Sequence, residues 1–182
     1  DDAHGDFVVG KDGKGTADHF GVSKKIDVYI SSLSKGLGSF GGYAASKKNI
    51  IEFCVNKSKS FIYTSALPGI LIHDATKRFE SKRERNRKKL WKNIKKFSTG
   101  LKKMGYNVNS DSQIFPIIIG KEKITLEFGD YLFKNGIFAQ PIRYPTVPRN
   151  HARIRISITA RLTDEHIEKS LYILENAKKK FS

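Results

Sequence analysis

Residues 27–43 read DVYISSLSKGLGSFGGY. A strand-like apolar run leads into a single lysine, Lys35, and glycines follow at 36, 38, 41 and 42. The run IDVYISSL, residues 26–33, predicts a strand covered on both faces, as in a parallel sheet. The stretch YAASKKNIIEFCVNKS predicts a helix that begins near Ser46. A lysine at such a strand–turn junction suits carbonyl chemistry, because desolvation favours the neutral amine that attacks a carbonyl carbon. Glycines let the backbone come close to a flat cofactor or a phosphate. Ser32 and Ser34 place hydroxyls beside the same turn. The plainer alternative is a lysine on a tight turn that points to solvent.

Working outward, SFIYTS predicts a short strand ended by LPG. A basic helix follows from Ile70 or Thr76 to Lys103, with a break, and Gly105 closes it. Then come SQIFPIIIG (strand), EKITLEFGDYLFKNG (helix), IFAQPIR (strand), the proline-punctuated YPTVPRN, ARIRISIT (strand) and TDEHIEKSLYILENAKKKF (helix). Thr163 caps the last helix, with Asp164 and Glu165 in its first turn. Alternating strands and helices predict an α/β or α+β chain. A composition boundary near residues 70–80 predicts two parts, 1–75 and 76–182, the second a self-contained small α+β domain. The first part has too few strands to cover its own sheet.

The chain has 182 residues and a formal net charge of +16. Much of the excess lies in residues 77–103, where Phe79, Leu90, Ile94, Phe97 and Leu101 recur at helical spacing between the basic residues. This is read as a solvated helix face, ahead of a surface for an anionic small molecule or acyl-CoA. No nucleic-acid motif accompanies it. The single cysteine, Cys54, excludes an internal disulfide and a cysteine-based zinc site, and fits a reducing cytosol. The apolar runs are too short for a membrane span, and no signal-peptide pattern is present. A cytoplasmic location is expected. The chain does not begin with methionine and is expected to start partway along a longer pattern.

The N-terminal DDAHG adds a second group of chemistry. Asp1 and His4 lie three residues apart at what reads as a strand end. A carboxylate beside a pyridinium nitrogen keeps it protonated, and a histidine can hydrogen-bond a ring oxygen. Asp, His and Lys together are the set a pyridoxal-phosphate (PLP) site needs.

Four stretches, DDAHGDFVVGKDGKGTADHFGV, SLSKGLGSFGGY, FIYTSALPG and PIRYPTVPRNHARIRISITA, resemble in order and spacing the α-oxoamine synthases, a fold type I PLP family. The resemblance covers essentially the whole chain and corresponds to the C-terminal half of that family. It implies the C-terminal portion of the PLP-binding large domain followed by a small α+β domain. Lys35 would be the Schiff-base lysine and the base for the substrate α-proton. Asp1 would pair with the pyridinium nitrogen, His4 would contact the ring hydroxyl, and Ser32 would bind the phosphate. Thr64 and Ser65 match a hydroxyl pair that reaches the neighbouring subunit's cofactor, which implies a homodimer. Arg155 would clamp the amino-acid carboxylate, while Arg153 could be structural.

DAHG and PTVP lean toward the biotin-pathway member of the family. That implies decarboxylative condensation of L-alanine with pimeloyl-CoA, or its acyl-carrier-protein form, to an amino ketone. The alternatives are a sister synthase such as glycine C-acetyltransferase, or a non-catalytic basic remnant binding an anionic partner. Two departures from the family pattern are mild: Gly69 where a second proline is common, and Tyr144 where RPPTVP is usual. The larger one is the N-terminal half, with its ring-stacking histidine and phosphate loop, which this chain does not contain. No metal site, nucleic-acid partner or membrane contact is expected.

Other residues carry plainer expectations. His19 also matches a family pattern but is read as structural, and His73, His151 and His166 as surface or capping residues. Cys54 is read as core. Tyr63 is read as lining the site or packing on the sheet, and Trp91 and Phe97 as helix core.

Overall fold

The computed structural model describes residues 1–81, 83–108 and 110–181. It divides into two compact units, Asp1–Arg87 and Lys88–Ser182. Lys82, within the expected basic helix, lies outside the described residues.

The first unit opens with tight turns and a short helix, α1 (Thr16–His19), then strand β1 (Val28–Ser32) and strand β2 (Gly42–Ser46). Three helices follow: α2 (Lys48–Lys57), α3 (Lys59–Ile62) and α4 (Gly69–Glu80). The helix α5 (Arg83–Lys103) begins here and continues into the second unit. β1 and β2 form an antiparallel hairpin, Val28 opposite Ser46 and Ser32 opposite Gly42.

Five expectations change in this unit, the last being Cys54, expected in the core. β1 is not covered on both faces, since Val28 and Ile30 are 39% and 49% exposed. Its sheet partner among the described residues is the antiparallel β2 rather than a parallel strand. Residues 42–46 form that strand, so the helix begins at Lys48 instead of Ser46. SFIYTS holds the helical turn α3, closed by Phe61 and Ile62 amides donating to the Ser58 carbonyl at 3.0 and 2.9 Å. Aromatic and β-branched residues favour strands only where a neighbouring ladder receives them, and no described strand pairs with this segment. Cys54 is exposed. The whole of α2, α3 and α4 buries no residue, although their apolar faces carry Phe53, Phe61, Ile70 and Ile72.

The second unit is built differently. After α5 come β3 (Ile114–Gly120), α6 (Glu122–Lys134), β4 (Gln140–Ile142), β5 (Ala152–Ser157) and α7 (Asp164–Phe181). The strands form one antiparallel sheet in the order β3–β5–β4. Alternation along β5 buries Ala152, Ile154 and Ile156 and turns Arg153, Arg155 and Ser157 the other way. Helical periodicity on α5 buries Leu90, Ile94, Phe97 and Leu101, so this part of the expected apolar stripe is a true core face, whereas Phe79 lies on α4 and is exposed. Asn93, buried on that stripe, donates to the Thr159 and Leu162 carbonyls at 3.0 Å each. Lys178 donates to the Met104 and Gly105 carbonyls at 2.8 and 2.7 Å and so closes the end of α5. At the start of α7 the Thr163 hydroxyl accepts from the His166 amide, and His166 Nδ1 accepts from the Thr163 amide, each at 3.2 Å. His166 therefore serves as a capping residue, as its position suggested.

Tyr106 gives this unit a pH signature. Its hydroxyl donates to the Leu174 carbonyl at 2.7 Å, and burial pushes the phenol from 10.0 up to about 12. The folded state keeps the proton where the unfolded chain has lost it. Stability should therefore be full below pH 10 and decline as pH rises toward about 12. Denaturant melts across that range should slope downward, and Tyr106→Phe should flatten the slope.

Candidate active site

The chemistry-bearing residues of the first unit lie on two pieces of backbone, and the sequence brings them together by close packing. The first is the N-terminal turn. Gly5 and Asp6 amides donate to the Asp2 carbonyl at 3.0 and 2.9 Å, folding residues 2–6 into one tight turn that carries His4. Asp1 precedes it, exposed, with Oδ1 accepting from the Ala3 amide at 2.9 Å. The second piece is the loop between β1 and β2, which carries Lys35. Leu33 and Gly41 close its base through an amide–carbonyl bond of 2.9 Å, and the Ser39 amide donates to the Leu33 carbonyl at 2.8 Å. Gly41, at φ 112°, makes the return into β2 in a conformation that L side chains rarely adopt.

Gly36, directly after Lys35, is where the two pieces meet. A Cβ at this position would strike the Asp6 carbonyl oxygen and stand 2.9 Å from the Phe7 Cβ. The glycine lets the lysine loop lie on the backbone of the turn that bears Asp1 and His4. Gly36→Ala should cost about 1–3 kcal/mol by overpacking against backbone that cannot rotate away. The check is a pair of denaturant melts, with Gly69→Ala, which meets nothing within 4 Å and, like Gly36, has no positive φ, as the steric control.

Ser32 ends β1 with its Oγ 2.7 Å from the Ser34 Oγ and accepting from the Ser34 amide at 3.2 Å. This pair of hydroxyls stands immediately before Lys35. The loop is also tied to α4: Ser39 Oγ donates to Asp74 at 2.6 Å, and Arg78 Nε donates to both Asp74 oxygens at 2.8 and 2.9 Å. Arg78, then Ser39, hold the Asp74 carboxyl below its ordinary range. Lys35 itself is exposed, so this chain alone does not supply the desolvation expected from its sequence setting.

The remaining expected site residues lie elsewhere. Thr64 and Ser65 are exposed in the segment between α3 and α4. Tyr63 is 82% exposed, which rules out packing on a sheet in this chain. Arg155 is exposed on β5 of the second unit, opposite Pro116 on β3 and Gln140 on β4. Among the described residues no group of three or more His, Cys, Asp or Glu is placed to hold a metal.

Sequence reading missed two carboxylates. Asp2 accepts from the Thr16 amide and hydroxyl, both at 2.6 Å, and from the Tyr29 hydroxyl at 2.8 Å. Asp6, 6% exposed, accepts from the Tyr43 hydroxyl at 2.6 Å. Burial first, then these carboxylates, push both phenols well above the ordinary tyrosine range. The alternation of Tyr29 with Ser31 on one strand face is the available signal, but the sequence predicts no strand over residues 42–46 to pair with it.

The family description "Aminotransferase class I and II" matches residues 1–174. The 8-amino-7-oxononanoate synthase of Treponema denticola is 41% identical over 182 residues, covering 98% of this chain and 46% of its own length. The enzyme of that name from Thermoanaerobacter pseudethanolicus is 40% identical, over 100% of this chain and 47% of its own. The chain thus spans about half the length of the curated relatives it matches. Among solved structures, a Francisella tularensis 8-amino-7-oxononanoate synthase superposes with TM-score 0.84 and 27% identity, covering 98% of this chain and 54% of that one. A Sphingomonas wittichii serine palmitoyltransferase superposes with TM-score 0.90 and 25% identity, over 99% and 46%. The α/β chain matches the C-terminal half of these fold type I structures.

Proposed function

Because the chain belongs to the aminotransferase class I and II family, we propose that it is the lysine-bearing half of a PLP-dependent synthase. The reaction is the condensation of an amino acid with an acyl thioester, with loss of CO2. L-Alanine and pimeloyl-CoA, or pimeloyl-carrier protein, are the proposed substrates, after the relatives at about 40% identity named 8-amino-7-oxononanoate synthase. The observation that carries this reading is the seating of Gly36 on the Asp6 backbone, which brings the Lys35 loop onto the turn bearing Asp1 and His4.

The donor set fits the cofactor: an amine for its aldehyde, a carboxylate for its ring nitrogen, an imidazole for its ring hydroxyl and hydroxyls for its phosphate. PLP, when bound, supplies the electron sink for the α-carbon. The Asp1 carboxylate would hold the proton on the ring nitrogen, His4 would hydrogen-bond the ring hydroxyl, and Ser32 would bind the phosphate. Lys35 Nζ takes the proton from the amino-acid α-carbon. Lys35 would return that proton to the same carbon after the thioester carbonyl has bonded there, the thiol has left with breakage of the C–S bond, and the carboxylate has departed as CO2. Arg155 is the proposed bidentate clamp for the amino-acid carboxylate, and Thr64 and Ser65 serve the cofactor of a second subunit in a homodimer.

The exposed apolar faces of β1, α2, α3 and α4 fit this reading, because the relatives carry as much chain again. We propose that the family's N-terminal half covers them and desolvates Lys35. Incubating the chain with PLP, reducing with borohydride and mapping pyridoxyl peptides by mass spectrometry tests the lysine assignment. Labelling chiefly at Lys35 is expected. Labelling scattered over the surface lysines, both with this chain alone and with the N-terminal half of such a synthase added, would overturn it.

A further inference from the structure

We propose that Asp2 and Asp6 are positioning residues, two carboxylate–phenol pairs that fix the turn carrying Asp1 and His4 to the hairpin carrying Lys35. The inference rests on the PLP reading above and concerns residues which that reading does not use.

The turn is held at both ends by the same face of the hairpin. At its start, the Asp2 amide donates to the Ile30 carbonyl on β1 at 2.8 Å, and the Asp2 carboxylate takes the Tyr29 hydroxyl and both donors of Thr16. At its end, the Asp6 carboxylate takes the Tyr43 hydroxyl on β2. Ser31 pairs with Tyr43 across the hairpin and Tyr29 with Ala45, so the two phenols share a face. Their ring centroids are 6.2 Å apart. Asp6 is also the residue whose carbonyl lies under Gly36. Each pair therefore sits one or two residues from a proposed cofactor contact, and one of them underlies the lysine loop.

The choice of partner has a consequence. In a chain with 34 lysines and arginines, neither carboxylate forms an ion pair among the described residues. A phenol locates a carboxylate without cancelling its charge, whereas an arginine would do both. Two located negative charges behind the turn favour a protonated ring nitrogen in front of it. The pairs thus position Asp1 and His4 and preserve a field suited to a cationic ring.

The test compares the full chain with Asp2→Ala, Asp6→Ala, Tyr29→Phe and Tyr43→Phe. Hydrogen exchange without cofactor reads the turn itself. The amides of Gly5, Asp6 and Thr16 should exchange about tenfold faster in the Asp2 and Asp6 variants. The Asp2→Ala/Tyr29→Phe double-mutant cycle should be non-additive. With PLP added, Lys35 should still be labelled, but the pH at which the adduct's visible absorbance changes should move down. Unchanged exchange would overturn the proposal. Faster exchange with an unmoved absorbance profile would overturn it too, leaving a purely structural role. If an aspartate variant does not fold, the tyrosine variants, which keep the packed ring, decide the same question. If the unaltered chain forms no Lys35 adduct even with the N-terminal half of such a synthase added, the PLP reading fails by itself, while the exchange rates and the cycle still decide whether the pairs fix the turn.

Discussion

Lys35→Ala should leave no pyridoxyl label on the loop between β1 and β2 after borohydride reduction. Lys35 is the only primary amine between Val28 and Ser46, so no neighbour on the hairpin can take its place. Hydroxyls cannot substitute, because reduction fixes only a carbon–nitrogen bond. Lys35→Arg should fail equally, since a guanidinium stays protonated and does not add to an aldehyde. Both variants should keep the unaltered chain's melting behaviour, because the exposed side chain contributes little burial. Peptide mass spectrometry of the reduced chain reads the result. A label that survives at the same level in both variants would mean that the amine is elsewhere.

Phe97→Ala should destabilise the second unit by about 3–5 kcal/mol, measured by denaturant unfolding. Phe97 is 1% exposed on α5, edge-on to the fully buried Phe115 of β3 at 5.1 Å between centroids. Truncation removes both the buried area and the ring pair and leaves a cavity between a helix and a sheet that are held at several other points. Phe53→Ala on α2 should change stability by less than about 0.5 kcal/mol, because that ring is 65% exposed. The contrast measures a difference between the two units: one closes its own core, the other presents its apolar faces.

The second unit was largely legible in advance. Its strands and helices fall close to where alternation and helical spacing put them, because the apolar stripes of α5, β3, β5, α6 and α7 are buried by neighbours in the same unit. The basic helix shows how a charge-rich segment can still be read: Leu90, Ile94, Phe97 and Leu101 keep the 3.6-residue period whatever lies between them. The first unit was read less well. Its strand IDVYISSL looks covered on both faces and SFIYTS looks like a strand, but residue type alone does not supply the neighbours: β1 pairs only with β2 among the described residues, and no described strand pairs with SFIYTS. The chain spans about half the length of the curated relatives it matches.

The sequence by itself determined which residues are the candidates for the proposed chemistry: a lone lysine before glycines and a carboxylate three residues from a histidine. Such signals are local, since a tight turn and a backbone close approach demand particular residue types at particular spacings. Only the tertiary structure decided how those pieces meet. Gly36 rests on the Asp6 carbonyl, and Asp2 and Asp6 find Tyr29 and Tyr43 on one hairpin face. These contacts join residues 27 to 37 positions apart. They depend on the register of an antiparallel pair, and a one-residue slip of one strand against the other would put the two phenols on opposite faces.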